Sequence, residues 1–86
     1  MKHASPETLT QISSLLEHVR QHAGLRERKL GTFYRKSAAF LHFHEDPAGI
    51  FADVRGFQDW ERFPVNTPAQ QQQLLDRVAE LLQVPA

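Results

Sequence analysis

The sequence predicts a small α+β domain: a helix, an antiparallel β-meander of three to four strands, and a second helix, with both helices on one face of the sheet. Three observations predict it. Apolar residues recur at helical spacing near both ends of the chain. All eight aromatic residues fall between Phe33 and Phe63, where β-propensity therefore concentrates. The links between the strand-like runs are short enough to join only antiparallel neighbours. A chain of 86 residues suits one domain spanning 1–86.

The first helix is expected from about Pro6 to His22. Ser5 can cap it, and Pro6 suits the first helical position, where no N–H is needed. Leu9, Ile12, Leu16, Val19 and Ala23, with Leu15 beside them, make one stripe at a 3.6-residue period. Gly24 is expected to end the helix in a left-handed conformation. From Leu25 to Lys36 the chain is basic, with Arg26, Arg28, Lys29, Arg35 and Lys36 against Glu27 alone. Residues 1–36 carry seven positive and three negative side chains, and residues 37–86 carry three and seven. Attraction between the two halves is the simplest use of that asymmetry.

Strands are expected at Phe33–Arg35, Ala38–Glu45, Ile50–Arg55 and Trp60–Val65. Asp46-Pro47-Ala48-Gly49 and Gly56-Phe57-Gln58-Asp59 supply turns. The last helix starts with Thr67 as cap, Pro68 in first position and Gln70 as the far end of a capping box. Leu74, Leu75, Val78, Leu81 and Leu82 form its apolar face.

The central hairpin can be registered by its turn. Asp-Pro-Ala-Gly suits a type I turn and sets Glu45 opposite Ile50, then His44–Phe51, Phe43–Ala52, His42–Asp53, Leu41–Val54 and Phe40–Arg55. One face then holds Leu41, Phe43, Ile50, Ala52 and Val54. The other holds Phe40, His42, His44, Phe51, Asp53 and Arg55. A one-residue slip would mix the two sets, so this register is the one expected. Trp60 and Arg62 extend the second face, which no helix covers. An apolar patch rimmed by polar groups marks an interaction surface or a dimer contact.

His42 and His44 point the same way from one strand, and Asp53 lies across from His42. Two imidazoles and a carboxylate are a partial shell for zinc or iron. His-x-His pairs usually add a third ligand from another strand, and no histidine follows His44. His18 and His22 are spaced as a helical pair but belong to the other side of the sheet. The plain alternative is a solvent-facing His–Asp pair. An acid–base pair of His42 and Asp53, with Arg55 binding an anion, lacks shelter from water. No nucleophile context or phosphate loop occurs, so no catalytic residue is expected. Aromatic residues beside a basic stretch suit single-stranded nucleic acid, but the strand-rich half is acidic. Any such binding would run through residues 26–36.

Phe40-Leu41-His42-Phe43-His44-Glu45-Asp46-Pro47-Ala48-Gly49-Ile50-Phe51-Ala52-Asp53, followed by Trp60-Glu61-Arg62-Phe63, resembles small conserved bacterial proteins of unknown function. With its histidine-bearing strand and a later Trp before a terminal helix, it also resembles a bacterial module labelled luciferase-like. The resemblance implies a bacterial source and carries no catalytic motif with it.

Equal numbers of acidic and basic residues give no overall pull toward nucleic acid or membrane. The absence of cysteine excludes disulfides and thiolate chemistry. No apolar run reaches membrane-spanning length and no leader pattern opens the chain, so a cytoplasmic protein is expected. The reading of function is a non-enzymatic binding or protein-interaction domain without cofactor, working through Phe40, His42, His44, Phe51, Asp53, Arg55 and Trp60. Its partner would be a second copy of the chain or another protein. The alternative is a metal or small-ligand site at His42, His44 and Asp53.

Overall fold

Ser5 and Thr67 start the helices as their sequence context predicts. In the computed structural model, which describes residues 1–85, Ser5 Oγ accepts from Thr8 N at 3.2 Å and Thr67 Oγ1 from Gln70 N at 3.2 Å. The chain runs β1 (Lys2–His3), α1 (Pro6–Gln11), α2 (Ser13–Arg20), β2 (Leu25–Lys29), β3 (Thr32–Arg35), β4 (Ala38–Asp46), β5 (Gly49–Arg55), β6 (Trp60–Pro64) and α3 (Pro68–Leu82). The α+β class holds. The strands form one six-stranded antiparallel sheet, a β2-β3-β4-β5-β6 meander with β1 added beside β4.

Two strands exceed the expected four. β4 is nine residues long, and β3 covers only its first half, pairing Arg35 with Ala38 and Phe33 with Leu41. β1 takes the vacant stretch of that edge, setting Lys2 opposite Glu45 and His3 opposite His44. Glu45 fixes the join, accepting from Ser5 N at 2.7 Å and Thr8 Oγ1 at 2.9 Å. β2 is four-fifths charged, yet it pairs with β3 from Leu25–Arg35 to Lys29–Thr32.

The first helix is broken rather than continuous. Ile12 leaves helical geometry at φ −115°, ψ 28°, separating α1 from α2 while the apolar stripe continues across the break. α2 ends at Arg20, short of His22, and Gly24 is not left-handed. The positive φ falls instead at Gly31, +77°, in the β2–β3 turn. A Cβ there would stand 2.8 Å from Leu9 Cδ2, so both backbone and packing require glycine.

Leu9 of α1, Ile12 at the break, Leu15, Leu16 and Val19 of α2, and Leu74, Val78 and Leu81 of α3 bury against one sheet face. That face presents Phe33, Leu41, Phe43, Ile50, Ala52 and Val54. The hairpin register is the expected one, from Leu41–Val54 to Glu45–Ile50, and closes further at Asp46–Gly49.

Phe40 corrects the expected faces. It does not lie on the open face but is 3% exposed in the core, next to the equally buried Leu41. The cause is a bulge: β3 steps from Tyr34 to Phe33 while β4 steps from Ala39 to Leu41. The extra residue breaks the two-residue alternation and turns Phe40 inward. Attraction between oppositely charged halves is also not how the charges pair. Among the described residues every ion pair is internal to one half: Arg20 with Glu17 and Glu27, Asp53 with Arg62 and His44, Arg77 with Glu61 and Glu80. The C-terminal capping box is modified too, because Gln70 Oε1 accepts from Asn66 N at 2.8 Å, one residue before the cap.

Candidate metal centre

On the uncovered face, strand alternation sets His42 and His44 side by side on β4. β5 lies alongside, with Asp53 opposite His42 and Phe51 opposite His44. β6 continues the row, pairing Trp60 with Arg55, Arg62 with Asp53 and Pro64 with Phe51. On the other side of β4, β1 delivers His3 directly opposite His44. Directly opposed residues share a face, so three imidazoles meet. The His3 and His44 rings stack, their centroids 4.7 Å apart. The His42 and His44 rings meet edge-on at 4.8 Å. One ring nitrogen from each of the three lies within 4.8 Å of the others.

Asp53 anchors the cluster. It is 7% exposed and accepts two bonds from Arg62: Nε to Oδ1 at 2.7 Å and Nη2 to Oδ2 at 2.8 Å. This fork holds the Asp53 carboxyl below the usual carboxylate range. Asp53 Oδ2 also stands 3.0 Å from His44 Nδ1, whereas His42 Nδ1 is buried without a hydrogen-bond partner. Burial is the main influence on His42 and His44 and pushes both below the ordinary histidine value, outweighing the opposing pull of Asp53. Both rings are therefore neutral at pH 7 and have nitrogen lone pairs to offer.

Of the expected surface, His42, His44, Phe51, Asp53, Arg55 and Trp60 share the open face, and Phe40 does not. Trp60, 40% exposed, lies 5.0 Å from the His42 ring and carries the Arg55 guanidinium at 4.7 Å. Of the expected ligand set, His42 and His44 stand as placed, while Asp53 braces His44 from behind. The third imidazole, His3, comes from before the pair in sequence, in a strand of two residues with no periodicity to reveal it. The one available signal was a further histidine just ahead of the Ser5-Pro6 helix start. His18 takes no part; its Nδ1 lies 2.8 Å from Ser14 O within α2.

No family model matches the chain, and no curated protein or solved structure matches it. What the chain does is read from its own residues. Among the described residues no helix is long and apolar enough to cross a membrane.

Proposed function

We propose that the protein binds one divalent transition-metal ion, zinc first among them, through His3, His42 and His44. The observation that carries this is the meeting of three imidazoles from two strands, with ring nitrogens within 4.8 Å. His42 Nδ1, buried without a hydrogen-bond partner, supports it, because buried polar atoms are rarely left unsatisfied. Imidazole sets suit zinc, copper, iron and nickel. Zinc–nitrogen distances of about 2.0–2.1 Å put ligand nitrogens roughly 3.3 Å apart, so small side-chain rotations would close the cluster around an ion. Asp53 beside His44 is the carboxylate that commonly orients a ligating histidine. Three protein ligands leave a fourth position open, as in sites that bind a further molecule.

The test is metal analysis and zinc titration of protein purified without a histidine tag. One equivalent of zinc is expected in the wild type and none in His3→Ala or His42→Ala. Protein that takes up no zinc, or that binds it equally well without His3, would overturn the reading. The open face as a contact for a second copy of the chain or another protein is the weaker reading, since Phe40 lies in the core and only Phe51 and Trp60 remain as large apolar groups there.

A further inference from the structure

Charge is unevenly distributed across the open face. Arg26 and Arg28 on β2 flank Tyr34, with the Arg28 guanidinium 4.6 Å above its ring. Arg55 and Arg62 lie on the far side of the histidines. These four cations share the face with two carboxylates: Asp53, which Arg62 already engages, and Asp46, which alternates with His44 on β4 and also acts on Arg62. Among the described residues Arg26, Arg28 and Arg55 have no acidic partner. A divalent ion on the histidines would add to the same sign. Such a surface attracts anions.

A cleft of about 500 Å³ opens beside the cluster, where β1 ends and the β2–β3 turn begins. His3 and His42 form one wall, Lys29 and Tyr34 add polar groups, and Leu30, with the edge of the largely buried Leu9, makes apolar surface. Leu30 is 53% exposed at this mouth, a large apolar side chain that nothing in the fold covers. The cleft thus joins the imidazoles, a cationic end once a divalent ion is bound, to an apolar body.

We propose that the open position of the three-histidine site takes an oxygen of a small organic oxyanion, a carboxylate or phosphate ester, whose apolar body lies in this cleft against Leu9 and Leu30. The proposal rests on the three-histidine reading. Lys29 supplies a further positive charge to the oxyanion from the cleft wall.

Cobalt(II) serves as the probe, because its visible absorption responds to a change of ligand at the ion. The cobalt-loaded protein is titrated with acetate, hexanoate, inorganic phosphate and hexyl phosphate. A saturable spectral change is expected with hexanoate or hexyl phosphate, and the tighter of the two identifies the head group. Each methylene removed from water tightens binding about fourfold, so the six-carbon ligand should bind at least about tenfold more tightly than its tail-less counterpart. Lys29→Met should weaken the anion more than it changes cobalt affinity. Cobalt that binds at one equivalent but responds to none of the four anions, or equally with and without a tail, overturns this proposal and leaves the metal reading standing. Failure to bind cobalt or zinc at all overturns the metal reading, and this proposal with it.

Discussion

On the helix-covered face of the sheet, Leu41, Phe43, Ala52 and Val54 are at most 3% exposed and belong to one apolar cluster with residues of the three helices. The residues alternating with them on the open face, His42, His44 and Asp53, are held by polar contacts that stay incomplete. The first face is self-sufficient: its apolar burial is the dominant favourable term in folding. The second is not, since an unsatisfied buried polar atom costs about 1–3 kcal/mol. A sheet whose stability lies on one side is free to carry a demanding arrangement on the other. That division makes the open face the place to test for binding, and it can be broken residue by residue.

The largest effect should come from the residue that changes sides. Phe40→Ala removes a core ring and should cost about 3–5 kcal/mol, whereas Phe51→Ala, partly exposed on the open face, should cost roughly 1–2 kcal/mol. Urea midpoints of the two variants decide it. Equal losses would mean that the bulge does not separate these two phenylalanines. Next in size is the response to zinc. At a hundredfold excess over its dissociation constant, zinc should stabilise the wild type by about 2.7 kcal/mol. His3→Ala should abolish that gain while changing the metal-free protein by no more than about 0.5 kcal/mol, since His3 is exposed. Thermal melts with zinc and with a chelator measure both quantities.

The hairpin was legible because two independent signals agree there. Asp46-Pro47-Ala48-Gly49 fixes the turn, and the two-residue alternation from Leu41 to Glu45 admits only one register that keeps apolar side chains together. The placement of His42, His44 and Asp53 followed directly. Phe40 was misplaced because a bulge is set by how β3 and β4 meet, and nothing in the local pattern marks the extra residue. β2 was missed because Arg26, Glu27, Arg28 and Lys29 read as solvated chain; its strand state comes from pairing with β3. β1 was missed for want of length, and with it the third imidazole. The candidate site was thus two-thirds visible in the sequence, and its missing part depends on a tertiary contact.

A smaller effect tests whether Asp53 braces the cluster. Asp53→Asn keeps the shape but removes the charge that accepts both Arg62 bonds and draws on His44. The expected cost is about 1–2 kcal/mol of stability, moderated because Arg62 is half-exposed and can return to water. Zinc affinity should fall roughly 10- to 100-fold, the usual consequence of losing a carboxylate behind a ligating histidine. Isothermal titration of the variant checks it, and unchanged zinc affinity would restrict Asp53 to holding Arg62.

The smallest effect lies on the covered side, at Glu27. This side chain binds Arg20 of α2 through Oε1 at 2.5 Å and Oε2 at 3.1 Å, and Oε2 also accepts from Gly31 N at 2.8 Å in the β2–β3 turn. The Arg20 bond is the main cause holding the Glu27 carboxyl below its ordinary 4.5. A carboxyl depressed in the folded state contributes stability that is complete above the unfolded value. That contribution is lost as pH falls from about 4.5 through the lower folded value. Because Arg20 is partly exposed, the contribution should be less than about 1 kcal/mol. Glu27→Gln should therefore lower stability slightly at pH 7 and flatten its decline below pH 4.5, read from urea midpoints across that range. The charge is only part of what Glu27 does, since glutamine can still accept from Gly31 N and keep the turn against Leu9. A larger loss at pH 7 that does not diminish toward low pH would make the turn, rather than the ion pair, the source of its contribution.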